Sequence, residues 1–252
     1  MTPYAIALLF SAGMLGGCAN AIAGGATLIT FPSMVASGLP IVIANASNSI
    51  AVMPGNIIAA LSDREKWPVM NAHFATLVIM SIAGAALGSW LLISHSAESF
   101  MLVVPALIGI ATILFTFAPK LQTMLARFRG EHGPAKGGAA LIGVTAIYGG
   151  YFGAGIGVMF MAILSIIESR EMRTLNAIKN LLSFACAVPA ATIFILSGSV
   201  SWPQTLTMMA GATVGGAVGS RLIRVISPMT MRRLVGAIGG VMTVIYAYRY
   251  WL

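Results

Sequence analysis

Uncharged apolar stretches about as long as a bilayer is thick recur along this chain from one end to the other, and nothing else in it restricts the fold so severely. About 20 apolar residues span the hydrocarbon core as a helix, and runs near Tyr4 to Ile22, Ala44 to Leu61, Val69 to Ile93 and Phe100 to Phe117 reach or approach that length. Of the 252 residues 58% are hydrophobic and 8% charged, whereas soluble domains are about a quarter charged. Such a chain cannot hide its apolar surface from water, so its solvent is lipid. The fold class read from these runs is an all-α polytopic membrane protein, with no room for a separate soluble domain.

The formal net charge of +8 would suit a nucleic-acid binder, yet the basic residues fall in short segments between apolar runs rather than on a basic helix with interleaved aromatics. They read as topology signals, and nucleic acid is not an expected partner. No Lys or Arg precedes the first apolar run, so the basic start of a signal peptide is missing although Ala19-Asn20-Ala21 imitates a cleavage site.

The chain echoes itself. Ser62 to Pro68 (SDREKWP) is answered by Ser197 to Pro203 (SGSVSWP), and in both halves a proline lies thirteen residues before the tryptophan, Pro54 before Trp67 and Pro189 before Trp202. At the same offset of 135, Asn45 falls on Asn180. Gly16-Gly17 leading to Gly24-Gly25 is matched by Gly149-Gly150 leading to Gly153, Gly155 and Gly157, and Gly84 and Gly88 by Gly211, Gly215 and Gly219. A duplicated unit accounts for this economically. The first repeat is placed at 1–118, a basic linker at 119–137 and the second repeat at 138–252. The second repeat reads as Gly138 to Gly149, a break, Val158 to Ile167, then helices near Leu175 to Leu196, Gln204 to Val225 and Thr230 to Trp251.

Orientation follows from the rule that Lys and Arg collect in cytoplasmic loops. The basic segments are 63–66, 118–137, 168–179 and 221–233, whereas 1–3, 38–43, 94–98 and 198–203 contain neither residue. All basic segments face one side only if each Gly-broken stretch enters and returns as a hairpin before three full crossings follow. The two repeats then lie in opposite orientations, the arrangement of many secondary transporters, whose sites sit at the repeat interface near the midplane. Arg249 alone departs from the charge pattern.

Broken backbone is tolerated inside a membrane only where it is buried in protein or lines a watery cavity. Helices starting after the breaks at Gly24-Gly25 and Gly149 to Gly157 would aim free N–H groups, and about half a positive charge each, at a shared anion; close helix packing is the plainer alternative. For Gly84/Gly88 and Gly211/Gly215/Gly219, the spacing of four favours packing. Asn45, Ser47 and Asn48 in one half and Asn176, Lys179, Asn180 and Ser183 in the other are each expected to share roughly one helix face. A small anion is therefore expected to receive hydrogen bonds from Asn20, Thr27, Asn45, Asn48 and Asn180 in a frame made by Gly24, Gly25, Gly155 and Gly157. An intramembrane lysine costs about 2.5–3.5 kcal/mol, so Lys179 either attracts the anion from the cytoplasmic side or snorkels to the interface.

Enzyme chemistry finds no support. His73, His95 and His132 are scattered without metal-ligand spacing, no acidic pair lies within an apolar run, and no nucleophile has a base partner. Glu168 at a hairpin end reads as solvated, with proton coupling through it left open. Cys18 and Cys186 sit in apolar surroundings as small fillers. No cofactor is expected; the partners are the lipid bilayer and a small anionic substrate, with a homodimer left open. A membrane scaffold whose glycines only pack helices, or a carrier of another small solute, is the rival reading.

The segment Gly16 to Pro32 (GGCANAIAGGATLITFP), the Ala44 to Asn48 turn, the SGSVSW segment and the GATVGGAVGSRL helix together resemble the sulfite exporter TauE/SafE family, over essentially the whole chain. The resemblance implies a bacterial inner-membrane permease for small sulfur anions such as sulfite or organosulfonates, usually an exporter. Ala26 stands where similar proteins often carry a further glycine, which bears on the shape of the first break.

Overall fold

The computed structural model describes residues 1–22, 25–62, 64–127, 137–168, 170–222 and 227–252. Gly24 of the first break, Arg129 and Lys136 of the linker and Arg224 lie outside them. All regular structure among the described residues is helical: α1 Pro3–Ile22, α2 Thr27–Ala36, α3 Ile41–Ser62, α4 Ala72–Ser94, α5 Ala97–Arg127, α6 Gly138–Tyr151, α7 Ile156–Ile167, α8 Met172–Leu196, α9 Trp202–Leu222 and α10 Pro228–Trp251, with a 3₁₀ turn at Arg64–Lys66.

Helix length separates two kinds of element. α1, α3, α4, α5 and α8 each contain a window long and apolar enough to cross a membrane. α9 and α10, with 21 and 24 residues, match them in length, but α9 is rich in glycine and threonine and α10 carries Arg232, Arg233 and Arg249. By contrast α2, α6 and α7 have 10, 14 and 12 residues. At 1.5 Å per residue they reach about 15–21 Å, short of a hydrocarbon core about 30 Å thick. The second hairpin, α6 and α7, therefore has two arms too short to cross.

The helices pair across the two halves of the sequence. α1 packs along α9, α4 along α6, α5 along α10, and α3 against both α8 and α9, with α4 on α8. Contacts at glycines give the sense of each pairing. On α9, a Cβ at Gly211 would meet Phe10, at Gly215 Met14 and at Gly219 Cys18, so α1 and α9 run parallel. Gly84 faces Ala146 while Gly88 faces Ile147 and Tyr151, so α4 and α6 are parallel as well. Gly109, Thr112 and Thr116 of α5 face Thr243, Gly239 and Gly236 of α10, with numbers descending, so this pair is antiparallel. The glycines spaced at four thus let backbones touch: a Cβ at Gly88 would lie 2.8 Å from the carbonyl carbon of Ile147.

Gly149 and Gly150 behave in the same way. Both are within helix α6, and a Cβ at Gly150 would lie 2.8 Å from the carbonyl carbon of Ala85 on α4. The second break is consequently shorter than the Gly149 to Gly157 stretch anticipated, being confined to 152–155. An aromatic cluster packs around it: Phe152 meets Phe31 of α2 edge-on at 5.3 Å, Phe100 of α5 meets Tyr151 at 5.5 Å, and Phe31 stacks on Tyr246 of α10 at 6.2 Å.

α5 continues past Phe117, where the apolar run ends, to Arg127 and through Pro119. A proline inside a helix lacks the N–H that residue i−4 would accept, which here frees the Phe115 carbonyl. The Arg232 guanidinium of α10 donates to that oxygen at 3.2 Å and stacks over the Phe115 ring, 5.3 Å from its centroid. The missing donor is thus replaced from another helix.

Candidate functional site

Each half of the chain turns back at a glycine in the left-handed region, Gly25 with φ 93° and Gly155 with φ 75°. Such values are open to glycine and costly for most other residues. Ala26, between Gly25 and α2, has φ −47° and ψ −46°, ordinary right-handed values, so an alanine there needs none of glycine's freedom. Gly155 is the N-cap of α7. Both breaks abut α5 within one turn of each other: a Cβ at Gly25 would touch the Phe115 ring at 2.7 Å, and one at Gly155 would lie 3.7 Å from Ala111. Ala111 and Phe115 both belong to the 25-residue apolar window Ala97–Leu121, so both breaks lie against the apolar part of α5 at similar levels.

Asn45 and Asn48 on α3 reach the same region. They are three residues apart, one turn on one face, and are 0% and 1% exposed. The Asn45 Nδ2 donates to the carbonyl of Tyr151 at 3.0 Å. Tyr151 ends α6, where helix carbonyls have no partner of their own, so α3 of the first half caps the broken helix of the second. The neighbouring Ala154 carbonyl accepts the Tyr148 hydroxyl at 2.7 Å. The rest of the asparagine pair has no such satisfaction: Asn45 Oδ1 and both the Oδ1 and Nδ2 of Asn48 are buried without a hydrogen-bond partner.

α8 packs on both α3 and α7. Asn180 is 9% exposed. The stem of Lys179 lies against Gly157 in the first turn of α7, its Cδ 3.7 Å from where a Cβ would be, so these two expected site residues meet. Thr27 opens α2 and is half-buried. Asn20 lies elsewhere: its Nδ2 is 3.2 Å from a Cβ built at Gly55, and Gly55 is about 15 Å along α3 from Asn45. Gly24 falls outside the described residues.

Two expectations are corrected. Ser47 does not share the face of Asn45 and Asn48, because two residues turn a helix by about 200°; its hydroxyl accepts the backbone N–H of Ser201 at 2.9 Å and anchors the turn before α9. Glu168 is not solvated. It is 9% exposed, with Oε1 2.7 Å from His73 Nε2 of α4 and Oε2 3.2 Å from Arg170 Nε. The helix-end position that suggested solvation is covered by the start of α4.

Three features went unread in the sequence: the Tyr148/Tyr151 pair that ends α6, the Arg232 contact with Phe115, and the His73–Glu168–Arg170 cluster. Only the first had a local signal, two tyrosines three residues apart just before a glycine break. The cysteine thiols donate to backbone carbonyls, Cys18 to Gly215 at 3.0 Å and Cys186 to Ser81 at 3.5 Å. Among the described residues no group of three His, Cys, Asp or Glu side chains is placed to hold a metal ion.

Comparison with known proteins bears on what such a site is for. A family model described as sulfite exporter TauE/SafE matches residues 9–246. The chain is 28% identical over 250 residues to a "Probable membrane transporter protein" of Haemophilus influenzae, covering 96% of this chain and 94% of that protein. It is 28% identical over 218 residues to "Probable membrane transporter protein ORF9" of Sinorhizobium sp, covering 86% and 83%. It is 26% identical over 245 residues to "Probable membrane transporter protein YfcA" of Escherichia coli, covering 96% and 90%. No solved structure matches the chain.

Proposed function

The chain belongs to the sulfite exporter TauE/SafE family, and from that membership and the buried polar site we propose that it is an inner-membrane permease exporting sulfite or a related organosulfur anion by alternating access. One observation carries the reading: beside two glycine breaks in an apolar bundle, the Asn48 amide is buried with neither atom partnered. A buried polar group without a partner costs about 1–3 kcal/mol, a cost that a bound substrate would offset. A scaffold would use the glycine packing equally well but has no use for that amide.

The pairing of the helices supports an inverted repeat. With chain direction alternating through each five-helix unit, opposite orientation of the units requires α1 parallel to α9, α4 parallel to α6, and α5 antiparallel to α10. Those are the senses of the glycine contacts. Alternating access would then rock α1–α9 and α4–α6, each built from both halves, about the α3, α8 and breaks that hold the anion. Lys179, its stem beside Gly157, supplies positive charge to the site. An inside-negative potential of about 100 mV drives one negative charge outward by about 2.3 kcal/mol, so export needs no dedicated coupling ion.

The test is anion flux from proteoliposomes bearing Asn180→Leu, which should fold and insert normally yet transport nothing. Wild-type flux in that variant would remove Asn180 from the site. Which anion is carried is read from thermal stability against sulfite, sulfate, thiosulfate, sulfoacetate, taurine and chloride, since a ligand at 100 times its dissociation constant stabilises by about 2.7 kcal/mol.

A further inference from the structure

The unpartnered atoms at the α3 site are not all of one kind. Asn45 Nδ2 is committed to the Tyr151 carbonyl, which can only accept, so the orientation of that amide is settled and its Oδ1 is left as a bare acceptor. Asn48 has neither atom partnered, so whichever way its amide is turned it presents one further acceptor and one donor group. The site therefore offers a ligand two acceptor oxygens on one turn of α3, beside the Asn48 amide donor group and the second N–H of Asn45.

An anion made only of acceptor oxygens, such as sulfate or the sulfite dianion, would satisfy the Asn48 N–H groups and leave both oxygens facing its own lone pairs. We propose that the ligand bound at Asn45 and Asn48 is a monoanion that carries its own hydrogen-bond donor, an acidic or hydroxyl hydrogen as in hydrogen sulfite, and that this donor selects it against fully deprotonated dianions and donorless monoanions. The proposal rests on the anion-permease reading above and specifies the protonation state it takes. A coordinated cation is a poorer fit, because it would leave the buried Asn48 N–H groups without an acceptor. Each transport event would then move one negative charge together with a proton.

Methanesulfonate and methylphosphonate test this directly, because at a pH where the phosphonate is the hydrogen-bearing monoanion the two have the same shape and charge and differ by one O–H. Binding of each to the full chain in detergent, measured calorimetrically beside hydrogen sulfite and sulfate, should favour methylphosphonate and hydrogen sulfite by about tenfold or more. Asn48→Leu should hold or raise the melting temperature, since it removes an unpartnered amide, and should narrow the difference between the matched pair, leaving only the share that Asn45 Oδ1 contributes. Equal or tighter binding of methanesulfonate overturns the donor requirement while leaving an anion site in place. Binding of none of the four overturns the permease reading as well. A preference for methylphosphonate that Asn48→Leu leaves undiminished places the donor contact elsewhere and overturns the assignment.

Discussion

Gly215 and Gly216 are neighbours on α9 with opposite surroundings, so one substitution made at each of them measures how closely α1 and α9 approach. A Cβ at Gly215 would lie 2.6 Å from the carbonyl carbon and 2.7 Å from the Cα of Met14, whereas one at Gly216 would meet nothing within 4 Å. Carbon atoms rest comfortably at about 3.5–4.0 Å, so Gly215→Ala must part the two helices by roughly 1 Å, and a gap of that size forfeits about a quarter to a half of the attraction of each contact it opens. Inserting a methyl into a packed interior costs about 1–3 kcal/mol, and with rigid backbone on both sides the upper end applies. Gly216→Ala incurs no clash and gains up to about 1 kcal/mol of helix propensity. The propensity gain accrues at both positions and cancels, so the two alanines should differ by roughly the clash alone, about 3 kcal/mol. Unfolding by SDS in mixed micelles, followed through the four tryptophans, reads that difference. Equal stabilities, or a less stable Gly216→Ala, would refute the parallel backbone contact and with it the pairing that supports an inverted repeat.

Arg232→Ala should cost about 1–3 kcal/mol by orphaning the Phe115 carbonyl. Pro119→Ala restores an N–H able to reach that oxygen, so a double-mutant cycle in the same micelles should show clear coupling, and strictly additive effects would refute the substitution of one donor for the other. Glu168→Gln should cost about 1 kcal/mol, discounted because His73 and Arg170 are more than a third exposed; a cost no larger than that of an exposed control such as Glu98→Gln would show that the cluster contributes nothing.

Much of the fold was legible because lipid imposes a length and a composition on every crossing element. The observed ends of α4, α7 and α8 fall within a few residues of the apolar runs, and the breaks at Gly25 and Gly155 lie where glycine density announced them. Pro119 shows the limit of that logic, since its effect depends on whether another helix supplies a donor, and Arg232 is 113 residues away in sequence.

Asparagines spaced three apart in the sequence already implied a shared polar face on α3, because helical periodicity is local and survives without knowledge of the neighbours. Which of their atoms would be met was decided only by tertiary structure, through the arrival of the Tyr151 carbonyl at Asn45 and the turn before α9 at Ser47. Glu168 passed from apparent exposure to burial in the same way, when α4 covered the end of α7. Periodicity and hydropathy are properties of consecutive residues and set where each helix runs. Burial and hydrogen-bond satisfaction are properties of pairs of segments far apart in the chain, and no local pattern encodes them.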